Sequence, residues 1–281
     1  SGLWRISPSE RDPLRANTFG TGLLMRHATE RGAKRILLGL GGSATTDGGI
    51  GMAAALGFHF LSSEGESLDP VPASLLAIRS IDGSRSISLP EITAACDVTN
   101  PLLGPRGTAA VFAPQKGASS DDVAFLENGL ARLAEISFHT TGHDFHNTPG
   151  AGAAGGIGFG LLAFCRASME PGFDLVANAA GLAAKVLEAD LIFTGEGRLD
   201  SQTMEGKGPA GLAALARSSA KPVFAFAGSI EEHPLLLERF DATIPIIDHP
   251  VSLEEAMRNA ASFLERAAAR TARLVSFPIT L

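Results

Sequence analysis

ADLIFTGEGRLDSQTMEGKGPAG, residues 189–211, is the stretch whose reading decides the fold. Its opening, Ala189-Asp190-Leu191-Ile192-Phe193, is a short apolar run of the kind buried on both faces in a parallel sheet. The glycines of Thr194-Gly195-Glu196-Gly197 predict that the strand stops there in a tight turn, where a ligand can approach the backbone. Arg198, Asp200, Gln202, Thr203 and Lys207 follow, and Pro-Ala-Gly then opens an Ala/Leu-rich helix over 212–218. In open α/β sheets ligands bind beyond the carboxyl ends of the strands, which is where this turn belongs. Acids, bases and amides gathered there suit an anionic substrate and a metal-bound phosphate. The alternative is a surface loop whose charges pair with one another.

Working outward, residues 222–226 (PVFAF) and 241–247 read as further strands, and Ser252-Leu-Glu-Glu255 as a capping box opening a terminal helix. Strand and helix alternate after residue 185, so residues 186–281 predict a parallel, doubly wound sheet. Residues 1–185 are less regular. Strands are expected at 35–40, 58–62, 76–81 and 92–96, with helices over 22–31, 50–56, 120–138, 156–165 and 174–187. Consecutive strands there fit a mixed-sheet α/β domain. The strand at 35–40 runs into GGSATTDGG (41–49), a second strand, glycine loop and helix unit, in which Gly42, Ser43, Thr45, Thr46 and Asp47 supply amides, hydroxyls and a carboxylate. Cys96-Asp97 closes another strand, and Lys116 sits in a loop bounded by glycine and proline.

Composition narrows the function. The net charge of −7 and the lack of a Lys/Arg-rich run exclude a nucleic-acid footprint. No window of about 18 residues is apolar enough to span a membrane. The two cysteines, Cys96 and Cys165, lie in apolar settings and read as thiols of a reducing compartment, with a bridge between them as the alternative. His139, His143 and His146 are too loosely spaced for zinc and read as a solvated loop. Residues 150–160 contain G-x-G-x-x-G but no strand precedes it, so nicotinamide binding is discounted; the glycines are expected to meet another backbone or a phosphate. No Walker A, G-x-S-x-G elbow or protein-kinase signature is present. Glycine-rich loops bearing Asp47, Asp97, Glu196, Asp200, Lys116 and Lys207 remain. Carboxylates for Mg²⁺, lysines against phosphate oxygens and one proton-accepting base are what phosphoryl transfer requires. On these residues alone the chain is an α/β enzyme of phosphate or small-acid chemistry, with a non-catalytic module binding a phosphorylated metabolite as the alternative.

The motifs GGSATTDGGIGMAAALG, CDVTNPLLG, FAPQKGA, PGAGAAGGIGFG and TGEGRLDSQTMEGKGPAG, taken in this order, resemble those of the type 1 bacterial glycerate kinases. Thr46 and Ala113 stand where the family usually has Asn and Gly. The resemblance implies two α/β domains, one flavodoxin-like with a parallel sheet and one with a mixed sheet, the boundary falling near residue 185. It implies transfer of the ATP γ-phosphoryl group to D-glycerate with Mg²⁺, in the cytoplasm, with the 2-hydroxyl as acceptor and room for a homo-oligomer. Carried onto these motifs, Asp47, Glu196, Asp200 and Lys207 become the expected catalytic residues, the three carboxylates also holding the metal in one inter-domain cleft. Gly42, Ser43, Thr45, Asp97, Asn100, Lys116, Gly155, Gly156, Gly195 and Arg198 become the expected substrate and phosphate contacts. Family members carry roughly another hundred residues before this point, on a comparison of domain sizes. The three strands counted after residue 185 are accordingly expected to leave an open strand edge or an uncovered apolar face. The chain alone is then expected to be inactive, and prone to aggregate unless another polypeptide covers that edge.

Overall fold

The computed structural model describes residues 2–201, 203, 208–231 and 233–276. It divides into two compact units, 1–172 and 173–281, with the division thus falling ahead of the expected boundary. The difference lies in α6 (Gly172–Ala179) and α7 (Leu182–Glu188): the sequence reads as one helix over 174–187, but Gly181 in the left-handed region breaks it, and both segments fall with the second unit.

In the first unit, β1 (Arg35–Gly39), β4 (Glu91–Ala95) and β5 (Ser168–Glu170) form a parallel sheet in the order β1-β4-β5. The antiparallel component is a separate ribbon of β2 (His59–Leu61) and β3 (Ser80–Asp82). Residues 76 and 77, the start of the strand expected at 76–81, instead close a 3-10 helix over Pro72–Ala77, because Pro72 at its start presets a helical φ. The helices are α1 (Phe19–Glu30), α2 (Ile50–Ala55), α3 (Thr108–Phe112), α4 (Ser120–Thr141) and α5 (Ala153–Cys165). Ser119 caps α4, accepting from the Asp122 amide, while the Asp122 carboxylate accepts from the Ser119 amide. The apolar stripe Leu126, Leu130 and Leu133 of α4 is fully buried, together with Ile50 and Met52 of α2 and Phe159 and Leu161 of α5. Each such side chain contributes about 1.5–3 kcal/mol, so this core fixes where the loops at the strand ends lie.

The second unit is built on β6 (Ile192–Leu199), β7 (Val223–Ile230) and β8 (Ala242–Pro245), all parallel and in sequence order. With them go α8 (Gly208–Ser218), α9 (Pro234–Arg239), α10 (Leu253–Arg258) and α11 (Ala260–Val275). Its core is largely β-branched and small: Val186, Ile192, Ala213, Ala216, Val223, Ala225 and Ala227, closed by Leu236 and Phe240. β7 is the central strand, as its apolar run predicts. β6 has β7 on one side and no strand on the other among the described residues, and Phe193 on it is 48% exposed. This is the open edge that the strand count anticipates.

β6 also runs further than expected. The predicted turn at 194–197 is strand, paired through Gly195↔Phe226 and Glu196↔Ala227 to Leu199↔Ile230. A Cβ on Gly195 would lie 2.6 Å from the Phe226 carbonyl oxygen. The glycine therefore serves the close approach of two strands, which corrects its assignment as a phosphate contact.

Candidate active site

Two clusters stand at the carboxyl ends of the two parallel sheets, and each belongs to its own unit. In the second unit β6 ends at Leu199 and β7 at Ile230, and Glu196, Arg198, Asp200 and Glu231 gather there. Thr203, 1% exposed, organises the acids. Its hydroxyl donates to Glu196 Oε1 and accepts from the Asp200 amide at 3.1 Å. Arg198 reaches Asp200 Oδ2 through Nε at 3.2 Å and Glu231 Oε2 through its terminal nitrogen at 2.9 Å. Arg198 thus holds two carboxylates in place, a different task from the direct phosphate contact expected of it. The Glu196 carboxylate and the Asp200 amide share the Thr203 hydroxyl, whereas the parts played by Thr203 and Glu231 were not read from the sequence. Lys207 lies outside the described residues.

In the first unit, the loop after β1 divides into an outer and an inner part. Gly41, Gly42 and Ser43 are exposed or half-exposed, and Leu3 N–H binds Gly42 O at 2.8 Å. Asp97 and Asn100 follow β4 at the same end of the sheet. Asp97 Oδ1 accepts from the Gly172 amide at 2.7 Å, and Asn100 Nδ2 donates to Arg106 O at 2.7 Å. Asp97 is exposed and Asn100 half-exposed.

Thr45, Thr46 and Asp47 are wholly buried. Asp47 Oδ2 accepts from the Thr18 amide at 2.8 Å, the Thr18 hydroxyl at 2.7 Å and the Gly51 amide at 3.1 Å; Oδ1 accepts from the Gly49 amide at 3.2 Å. Burial pushes its carboxyl above the ordinary value, and these donors pull it back. With no accessible surface and both oxygens accepting hydrogen bonds, Asp47 is set into the packing of the first unit and not at its open face. It ties the loop to the start of α1, correcting its expected roles as catalytic residue and metal ligand.

Gly155 and Gly156 are corrected in the same way. They lie in a left-handed stretch inside α5, with φ of +81° and +84°. A Cβ on Gly155 would stand 1.8 Å from Thr45 O, and one on Gly156 2.9 Å from the Gly48 Cα. The Gly155 carbonyl accepts from the Gly48 amide at 3.1 Å. These glycines meet another backbone, not a phosphate. Gly155→Ala should destabilise the first unit by about 3 kcal/mol or more, from strain in φ added to a contact no rotamer relieves. Chemical unfolding checks this, and a loss below about 1 kcal/mol would show that the two loops are not in register here.

Lys116 too departs from its expected role. It is 2% exposed, and Nζ donates to Thr45 O at 2.6 Å and to Ser43 Oγ at 3.0 Å. Burial lowers its amine to about 8, against the opposing pull of Asp47. A lysine so enclosed serves the loop before any phosphate. Thr45, expected at the ligand, is beneath the surface with it.

Among the described residues no three His, Cys, Asp or Glu side chains form a metal cluster, and no helix is long and apolar enough to cross a membrane. Cys96 and Cys165 are free thiols, and burial pushes Cys165 up to about 12.

The chain is 41% identical to glycerate kinase of Bacillus subtilis (strain 168), over all of this chain and 75% of the relative. It is 40% identical to glycerate 2-kinase of Escherichia coli (strain K12), over 92% of this chain and 70% of the relative. A crystal structure described as glycerate kinase 2 from Salmonella typhimurium LT2 superposes with a TM-score of 0.82 at 41% identity, covering 98% of this chain and 74% of that one. The chain spans about three-quarters of the length of these proteins. The family model described as the glycerate kinase family matches residues 1–276, and the protein belongs to that family.

Proposed function

We propose that the protein transfers the γ-phosphoryl group of ATP to the 2-hydroxyl of D-glycerate, giving 2-phosphoglycerate and ADP. The observation that carries this reading is the Glu196–Thr203–Asp200 cluster at the carboxyl end of the second sheet, in a member of the glycerate kinase family. The regiochemistry is supported by the relative named glycerate 2-kinase.

In the reaction the acceptor hydroxyl loses its proton as its oxygen bonds the γ-phosphorus, and the β–γ bridging oxygen leaves with ADP. Such a transition state needs positioning and charge neutralisation more than covalent help. Glu196, whose carboxylate accepts from the Thr203 hydroxyl, and Asp200, whose carboxylate is paired with Arg198 and whose amide is bonded to Thr203, supply the carboxylates: one would accept the proton and the other would hold the metal. Both offer hard oxygen donors, and Mg²⁺ takes one or two carboxylates and completes its shell with phosphate and water, so the donor set fits it. Mg²⁺ bound there would neutralise phosphate charge. Lys207, flanked by Gly206 and Gly208, is proposed to neutralise phosphate oxygens as well. In the first unit Gly42, Ser43, Asp97 and Asn100 are proposed to contact substrate. Free thiols and use of ATP accord with a cytoplasmic setting.

The test is ADP release with Mg-ATP and D-glycerate by the full-length protein, the product then offered to enolase. Enolase acts directly on 2-phosphoglycerate, whereas 3-phosphoglycerate first needs a mutase. Glycerate-dependent ADP release with enolase turnover is expected. ADP release without glycerate dependence would overturn the reading, and a need for mutase would overturn the regiochemistry.

A further inference from the structure

A lysine ammonium carries three donors and no acceptor, and a serine hydroxyl carries a single proton. In the contact between Lys116 Nζ and Ser43 Oγ, Ser43 must therefore accept. Among the described residues no acceptor takes the Ser43 proton, and Ser43 is half-exposed at the carboxyl end of β1. The second ammonium bond, to Thr45 O at 2.6 Å, lies where Gly155 leaves no space for a side chain: a Cβ there would stand 1.8 Å from that oxygen and 3.1 Å from Nζ. Lys116 is therefore anchored from beneath while its far bond decides which way the Ser43 hydrogen points. Asp47 is the charged neighbour that favours the ammonium form.

We propose that Lys116 is a positioning residue: by occupying a lone pair of Ser43 Oγ it presents the Ser43 hydroxyl proton to an anionic oxygen of a substrate. That oxygen belongs to a carboxylate or a phosphoryl group, chemistries shared between the hydroxy acid and the nucleotide. The inference rests on the reading of the 41–43 loop as substrate-facing.

A double-mutant cycle with Ser43→Ala and Lys116→Met separates the possibilities. Ser43→Ala should raise KM for one of the two substrates about tenfold and leave kcat within about twofold, the scale of one hydrogen bond to a charged group. An effect on the hydroxy acid identifies the carboxylate, and an effect on ATP the phosphate. Lys116→Met should raise the same KM by a similar factor, and the double variant no further. Multiplying factors, or a Lys116→Met effect on the other substrate, would overturn the proposal.

Where Lys116→Met fails to fold, ¹⁵N-lysine spectra of the wild type and of Ser43→Ala give the answer without it. The Lys116 ammonium signal should shift when D-glycerate or a non-hydrolysable ATP analogue is added to the wild type, and stay still in Ser43→Ala. An unmoved signal in the wild type, or an equal shift in both, overturns the proposal. This reading needs no turnover: a protein that binds with this pattern but makes no ADP refutes the kinase and leaves the role of Lys116 standing.

Discussion

Asp47→Ala should cost the first unit about 3–5 kcal/mol, the scale of removing one side of a buried, fully bonded charged group. The loss follows from what would remain. The amides of Thr18, Gly49 and Gly51 and the Thr18 hydroxyl all give their hydrogens to this one carboxylate, in a region with no water access. The Thr18 hydroxyl also accepts from the Met52 amide, so disturbing it reaches the first turn of α2. Asp47→Asn should lose less, about 1–3 kcal/mol: its carbonyl can replace Oδ2, while its amino group faces the Gly49 donor. For a unit of this size the alanine variant should melt roughly 10 °C lower. Thermal and urea unfolding followed by circular dichroism measure both. An Asp47→Ala protein that unfolds like the wild type, with activity alone lost, would restore Asp47 to the chemistry.

That prediction shows where the sequence could and could not be read. Strands β1, β4, β7 and β8 and helix α4 were legible because apolar runs, a Ser119 cap and flanking glycines act locally. The fate of GGSATTDGG was not. Its composition says that it is a loop with unusual backbone, but outer residues fit for a ligand and inner residues fit for packing have the same types. Only tertiary contact separates Ser43 from Thr45, and Thr18 lies 29 residues from the carboxylate that it serves. One signal was available: an aspartate just ahead of a short helix can bind backbone amides there. Glycines at 195 and 197 read as punctuation, yet ladder pairing with β7 overrode them. β5, three residues long, has no alternation to detect and exists through β4. That Glu196 and Asp200 fall near one another was legible, since they lie four residues apart in one short stretch, although Glu196 proved to be within β6 and not in the turn after it. Thr203 as their organiser was not, because a threonine hydroxyl carries no charge pattern.

Glu196→Gln should lower kcat by on the order of a thousandfold, equivalent to roughly 4 kcal/mol of transition-state stabilisation. Glutamine has the size and branching of glutamate, and its amide oxygen can still accept from the Thr203 hydroxyl, so the local arrangement survives. What disappears is the negative charge and the capacity to take a proton. If Glu196 accepts the proton of the attacking hydroxyl or faces Mg²⁺, the amide can do neither. Asp200→Asn should be similarly damaging, although Arg198 would retain Glu231 as a partner. Thr203→Val should fall between, since it leaves both acids in place but frees their orientation, and Thr203→Ser should recover most of the loss. The decisive quantity is kcat at saturating ATP and D-glycerate, together with unchanged unfolding temperatures. A loss of less than about tenfold in Glu196→Gln, with Thr203→Val equal to it, would mean that Glu196 only supports the strand end, and the chemistry would have to be sought among Asp200 and the residues of the 41–43 loop.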